Sequence, residues 1–391
     1  MALKILMVSR FNSDFERWVS LADYLQDKID VHMLHAWDLE RLENPPMFAF
    51  LKSLDIKIMQ YSDLSFAHRI FLIINGLARR FSSKLLWKIG QFFRRMGKVT
   101  MKKNIDNYLK DLDPDILFIT DFSEQPDTIY EPLKYVYTWF NANNRWIMGC
   151  AHASKIYFSP NDRVLINEHI NMFFSTSDEQ SSLLEGGSLI HPVMNVGDLR
   201  NSIHFLNRLK PFLKKACDSR TVALFVGEKT NTDHEYSEFI IQLIQILSND
   251  KDLDNLIVKL HPNSDWYQFS LKLGEHPKVS IISTQFNSLE VCASAEVIIT
   301  HQSSIIFDAL AYKKKLYLID YLDGPGKHLY RDLELPSFNF KQWLELENIM
   351  NLPFSFNTEA YKKLAFNNAD DGENRELVHQ FLMNHCQNPP V

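Results

Sequence analysis

Residues Ala295–Asp320 read AEVIITHQSSIIFDALAYKKKLYLID, and two apolar runs inside this stretch decide the fold. Val297-Ile298-Ile299-Thr300 and Leu316-Tyr317-Leu318-Ile319 show no alternation of apolar and polar residues. That pattern belongs to strands covered on both faces, as in a parallel sheet. Between them, the polar His301-Gln302-Ser303-Ser304 leads into Ile305-Ile306-Phe307-Asp308-Ala309-Leu310, an apolar helix. Strand, turn, helix and strand in this order make a βαβ unit.

The same pattern extends outward in both directions. Upstream lie the strand Val222–Val226, which ends at Gly227, a helix over Glu238–Leu247, and strands at Leu256–Leu260 and Val279–Ile282. The first half repeats it, with strands at Leu3–Val8, Val31–Leu34, Ile116–Thr120, Trp146–Cys150 and Met172–Thr176. A helix containing Trp18, Leu21 and Leu25 joins the first two. The chain therefore reads as an α/β protein with two Rossmann-like lobes, residues 1–200 and 201–391, with the break between about 195 and 220. Two such lobes joined once predict a cleft between them.

Length and composition agree. The 391 residues exceed what one core usually serves. Hydrophobic residues at 46% and charged ones at 23% exclude a disordered chain. A net charge of −6 argues against nucleic acid as a partner. The four cysteines are scattered without a C-x-x-C pair, which fits a reducing cytoplasm and suggests no zinc site. The N-terminus runs straight into a strand, and no run of about 20 apolar residues predicts a bilayer span.

One segment departs from the bulk charge. Leu64 to Ile105 contains no Asp or Glu, while ten Lys and Arg residues fall between Arg69 and Lys103. Phe71, Leu85, Leu86, Trp87, Ile89, Phe92 and Phe93 are interleaved with them. A basic helix with an aromatic, apolar face reads as an element for an anionic membrane surface, on the inner face of the cytoplasmic membrane. A helix packed on its own domain with solvated charges is the plainer alternative.

Ligands of open parallel sheets sit beyond the carboxyl ends of the strands. Polar residues there are the candidates: Arg10, Asp121, His152, Lys229, His261, His301, Ser303 and Ser304. Ser303 and Ser304 stand where a helix begins, with free N–H groups suited to a phosphate; they also suit a simple N-cap. His261 follows the apolar strand Val258-Lys259-Leu260 and precedes Pro262, so its imidazole can donate to a phosphate or a leaving oxygen. Lys229 adds a positive charge near phosphate or is a plain loop lysine. Arg10 has the same two readings, phosphate or acceptor contact being the sharper. Asp111-Leu112-Asp113 and Asp113-Pro114-Asp115 precede their strand, where a metal site facing a cleft would follow it. Helix end, hydroxyls and His261 would therefore neutralise a leaving phosphate without a metal. Neither a P-loop nor a G-x-G-x-x-G fingerprint occurs.

KLHP at Lys259–Pro262, followed by VIITHQSSIIFDAL and KKLYLID, resembles the donor-binding half of bacterial polymer transferases. These are the CDP-glycerol and CDP-ribitol glycerophosphotransferases, the capsule transferases using CMP-linked sugar acids, and sialyltransferases with HP and SS motifs. The resemblance covers roughly residues 146–335 and implies the two-lobed GT-B architecture. It implies a CMP- or CDP-linked donor, His261 on the donor phosphate, Ser303 and Ser304 cradling it, and Asp308 at the ribose. It also implies a general-base role for His152, with Asp121 as the rival base. Two departures stand out: His301-Gln302 replaces the Asp-Tyr that precedes the serines, and Ala153-Ser154 replaces the Gly-Thr that follows the acceptor-side His.

The resulting expectation is a metal-independent, cofactor-free glycosyltransferase acting on a glycan or lipid-linked glycan acceptor of a bacterial surface polysaccharide. Two alternatives remain open. One is a UDP-sugar 2-epimerase-like enzyme on the same fold; the other is a binding protein whose active part is segment 69–103.

Overall fold

The computed structural model describes residues 3–9, 12–35, 45–80, 83–120, 131–150, 170–178, 180–182, 192–214, 220–227, 233–261, 266–274, 276–282, 287–301, 303–320, 331–367 and 373–390. It divides into two compact units. The first comprises Met1–Leu42, Met47–Phe205 and Glu373–Val391; the second comprises Glu43–Pro46 and Leu206–Gly372.

The first unit is built on a seven-stranded sheet. Its strands are β1 (Lys4–Ser9), β2 (Asp30–His35), β3 (Lys57–Gln60), β4 (Ile116–Ile119), β5 (Trp146–Cys150), β6 (Met172–Ser175) and β7 (Val193–Asn195). Their spatial order is β3-β2-β1-β4-β5-β6-β7, and every pairing is parallel. The second unit holds β8 (Thr221–Val226), β9 (Asn255–Leu260), β10 (Val279–Ile282), β11 (Val297–Thr300), β12 (Lys315–Ile319) and β13 (Ser337–Phe338). They lie in the order β10-β9-β8-β11-β12-β13, again all parallel. Each sheet reverses strand order beside its first strand, the place where ligands of such sheets collect.

Two-sided burial explains the unbroken apolar runs. In β8, Val222, Leu224 and Val226 join one core while Ala223 and Phe225 join the core on the other face. The strands β11 and β12 divide likewise, with Ile299 and Tyr317 on one side and Ile298 and Leu316 on the other. Each such Val, Leu, Ile or Phe side chain contributes about 1.5–3 kcal/mol of burial free energy. The ten strands expected from sequence are present. The three not foreseen, β3, β7 and β13, are two to four residues long and hold no fully buried residue. A short, half-covered strand has too few apolar positions to show its period.

The unit boundary differs from the division at residue 200. The chain passes into the second unit after Phe205, and residues from Glu373 return to the first. The helix Arg375–His385 is anchored there by polar contacts. Arg375 donates to the Ser20 carbonyl at 3.0 Å and to the Asp23 carboxylate at 2.9 Å, and Asn374 donates to the Val196 carbonyl at 2.9 Å. Trp146 donates from its indole nitrogen to the Asn388 carbonyl at 2.7 Å. Nothing in the local pattern of a C-terminal helix says which sheet it will cover, so the sequence reading left it with the second half.

The same unit encloses a network of buried ions. Arg17 pairs with Asp198 at 3.3 Å, Arg200 with Glu16 at 3.1 Å, and Arg375 with both Asp23 and Glu373. Burial alone would raise the Asp198 carboxyl, but Arg17 and Arg200 beside it hold it below the usual carboxylate range.

Candidate functional site

The carboxyl ends of β9, β8 and β11 meet in the second unit, because β8 lies between the other two. Register fixes this end: Val226 of β8 stands opposite Leu260 of β9, and Leu224 opposite Ile299 of β11. His261 extends the β9 side, its N–H donating to the Val226 carbonyl at 3.0 Å. The imidazole of His261 stands exposed beyond that bond.

His301 follows β11 on the other side of β8, and its ring occupies the space above Gly227. A Cβ added to Gly227 would stand 2.8 Å from Nε2 and 3.0 Å from Cε1 of His301. Gly227 has an ordinary backbone conformation, since the glycines with positive φ are Gly197 and Gly274. A glycine is needed here for closeness, not for a left-handed turn. Tyr236, on the helix His234–Ser248, lies beneath the same turn. Burial pushes its hydroxyl up to about 12, with a backbone hydrogen bond from Gly227 pulling the other way.

The chain then turns into the helix Ile305–Ala311. The Ser303 carbonyl accepts from Ile306 N–H at 3.1 Å, and the Ser304 carbonyl accepts from Phe307 N–H at 3.2 Å. The Ser303 hydroxyl accepts from Ile305 N–H at 3.5 Å, the long limit of such a bond. Ser304 occupies the N-cap position with helical backbone angles and makes no side-chain capping bond. The capping alternative thus holds weakly for Ser303, and Ser304 does not cap. Asp308 sits in the first turn at only 2% exposure. Its charge acts on Tyr361 of the helix Thr358–Phe366, whose hydroxyl is pushed up by burial first and by Asp308 second.

Of the residues singled out from sequence, His261, His301, Ser303 and Ser304 fall at the carboxyl ends of adjoining strands or the turn that follows. Arg10, Asp121, His152 and Lys229 lie outside the described residues. The D-x-D acids are engaged elsewhere: Asp113 and Asp115 both pair with Arg145, at 2.7 and 2.6 Å, ahead of β4. Among the described residues no group of three or more His, Cys, Asp or Glu side chains is arranged to hold a metal ion.

Two features escaped the sequence reading. Gly227 was visible only as a strand end; that another strand's histidine covers it is a tertiary fact. In the first unit, Ser9 ending β1 and His35 ending β2 lie 2.6 Å apart, Oγ to Nδ1. Both are fully buried, so this pair braces two strand ends and is closed to a substrate.

No family model and no curated protein sequence matches this chain. Solved structures do. One is the UDP-GlcNAc 2-epimerase of Methanocaldococcus jannaschii, at 14% identity and a TM-score of 0.62, covering 98% of this chain and 100% of that one. Another is the UDP-GlcNAc 2-epimerase of Neisseria meningitidis bound to UDP-GlcNAc, at 12% identity, a TM-score of 0.62 and the same coverages. S. aureus MnaA, solved with UDP, matches at 12% identity and a TM-score of 0.59, covering 100% of this chain and 99% of that one. At such identities the likeness is one of fold: two parallel-sheet Rossmann-like domains of the GT-B-like kind. These structures give no support to the glycerophosphotransferase and sialyltransferase groups that the sequence resembles.

Proposed function

We propose that this chain is a nucleotide-sugar enzyme of the 2-epimerase type, taking a uridine-diphosphate-linked N-acetylhexosamine. One observation carries the site: Gly227 flanked by His261 and His301 at the ends of three adjoining strands. The side-chain-free strand end at Gly227 lets the His301 ring settle over it, which sets that imidazole at the carboxyl edge of the sheet. The imidazoles on either side each offer at least one N–H donor, whichever tautomer they hold. Ser303 and Ser304 add hydroxyls and the first N–H groups of the following helix. Asp308 is proposed to steady this turn from below, where its burial puts it, rather than to meet a ribose directly.

The choice of nucleotide rests on support outside the site. Two of the structural neighbours named above were solved with UDP or UDP-GlcNAc. That favours UDP over the cytidine donors implied by the sequence resemblance. Inverting C2 requires a proton to leave and return at that carbon, so a general base is needed. His152 and Asp121 remain the proposed candidates, with Lys229 and Arg10 as further anion contacts.

A transferase using a CMP- or CDP-linked donor is the second reading. The exposed basic and aromatic helices of the first unit favour it, since they suit an enzyme working on a membrane-borne glycan acceptor.

Calorimetric titration with UDP, UDP-GlcNAc, CMP and CDP, followed by NMR of UDP-GlcNAc incubated in D2O, tests both. The epimerase reading expects UDP binding, deuterium at C2 and a C2 epimer without any acceptor. Cytidine-nucleotide binding with turnover only when acceptor is added would establish the transferase instead. Absence of binding by all four nucleotides would remove the site assignment.

A further inference from the structure

The first unit carries two long helices, Phe66–Arg80 and Lys84–Leu112, packed along one another. Asn104 donates to the Leu64 carbonyl, the hydroxyls of Ser65 and Thr100 lie 3.1 Å apart, and Arg94 stacks over the Phe71 ring. The second helix is fixed to the sheet by its C-terminal half, where Met101, Ile105, Leu109 and Leu112 enter the core. Its N-terminal half is different: from Lys84 to Met96 only Gly90 is buried.

That half is apolar where it meets solvent. Leu85, Ile89, Phe92 and Met96 recur at helical spacing and fall within an arc of roughly 60°. All four are exposed, Leu85 at 68% and Phe92 at 58%. On the partner helix Phe66, Ile73 and Leu77 form a second exposed row, with Phe66 at 77%. Among the described residues, eight of the eleven large exposed hydrophobics belong to these two helices, which marks a patch rather than scatter.

Charge identifies what covers it. Lys84, Lys88, Arg95 and Lys102, all exposed, run beside the apolar row. The segment from Leu64 to Ile105 holds ten of the chain's 42 basic residues and none of its 48 acidic ones. An apolar stripe bordered by cations fits an interface with acyl chains below and anionic headgroups above. A second copy offering the same face would bring ten positive charges against ten. No described helix is long and apolar enough to cross a bilayer, so the element would lie on the surface.

We propose that the helical pair Phe66–Leu112 is a membrane-surface anchor that inserts its Leu85–Met96 stripe into an anionic bilayer. The inference is independent of which nucleotide the second unit takes.

Co-sedimentation of the full chain with vesicles of phosphatidylglycerol and phosphatidylcholine, against pure phosphatidylcholine, tests it. Binding is expected to the anionic vesicles only and to weaken as salt is raised. K88E/R95E/K102E should lower the partition coefficient roughly tenfold or more. I89S/F92S should do the same at unchanged net charge. K313E/K341E/K362E, an equal charge change on exposed lysines of the second unit, should leave binding intact. All five positions in the first two variants are exposed and none enters the core, so circular dichroism and thermal unfolding are expected to match the parent. Equal binding to neutral and anionic vesicles, or equal loss in the K313E/K341E/K362E control, would overturn the anchor. Concentration-dependent dimers abolished by I89S/F92S, without vesicle binding, would overturn it in favour of a second copy.

Discussion

His301 holds the volume that a side chain on Gly227 would need, its Nε2 standing 2.8 Å from the position of a Cβ there. Two residues 74 positions apart in a 391-residue chain thus define one surface, because their strands are neighbours in the sheet. Gly227→Ala asks nothing unusual of the backbone, so the added methyl acts on the imidazole alone. The expected result is nucleotide affinity weakened about tenfold, near 1.4 kcal/mol, with little change in melting temperature. Calorimetry and thermal unfolding of the same preparation check both halves.

His261→Ala and Ser303→Ala remove donors from the two flanks of the same strand end. A hydrogen bond to a charged phosphate is worth about 1.5–3 kcal/mol, so each variant should bind nucleotide roughly ten- to a hundredfold more weakly. The Ser303 hydroxyl accepts a long bond from Ile305 N–H, so its loss should cost little stability. Unchanged binding in both variants would place the nucleotide elsewhere.

The buried ions of the first unit should be expensive to break singly. Asp198→Asn leaves Arg17 enclosed without its carboxylate, and removing one partner of such a pair costs about 3–5 kcal/mol. Denaturant unfolding at pH 7 measures it. The Asp198 carboxyl is held below its ordinary value of 3.8 in the fold. Its contribution is therefore complete above that value and is lost as the pH falls through the lower folded one.

His32 should give an earlier acid step. Burial lowers its affinity for a proton, and Asp30 at 3.0 Å only partly offsets this. The fold thus favours the neutral imidazole. Stability from His32 is full above its ordinary value of 6.5 and falls as the pH drops toward the depressed folded value. His32→Gln should flatten the stability profile just below pH 6.5 and leave the Asp198 step in place.

Gly149 in β5 is a packing position. A Cβ there would lie 2.9 Å from both Ile170 Cδ1 and Phe173 Cδ2, and Phe173 is its cross-strand partner in β6. Both neighbours are fully buried and cannot yield freely. Gly149→Ala should cost about 1–3 kcal/mol in an unfolding titration.

Half of the strand-end candidates could be placed in the fold, because strand ends are legible in a sequence. An apolar run that stops at a polar residue marks a carboxyl edge, which is how His261, His301, Ser303 and Ser304 stand out in the order of residues. Gly227 stood out less, since glycine after a strand is common and its value depends on what lies over it. The resemblance implied Asp308 at a ribose; in the fold this residue is almost fully buried and its charge acts on Tyr361. The side of a short helix that meets the core depends on which neighbours cover it. The ion network was not legible, because Glu16, Arg17, Asp198, Arg200 and Arg375 come from three distant parts of the chain.

By itself the sequence determined that this is a parallel α/β protein in two parts, with an acid-free basic segment. Those properties are written in local hydrophobic period and local charge, which need no partner to be read. The tertiary structure alone decided the strand order, the return of the helix Arg375–His385 to the first unit, and the meeting of Gly227 with His301. Each of these is a choice among distant surfaces, made by the burial and ion pairing that only the folded chain brings together.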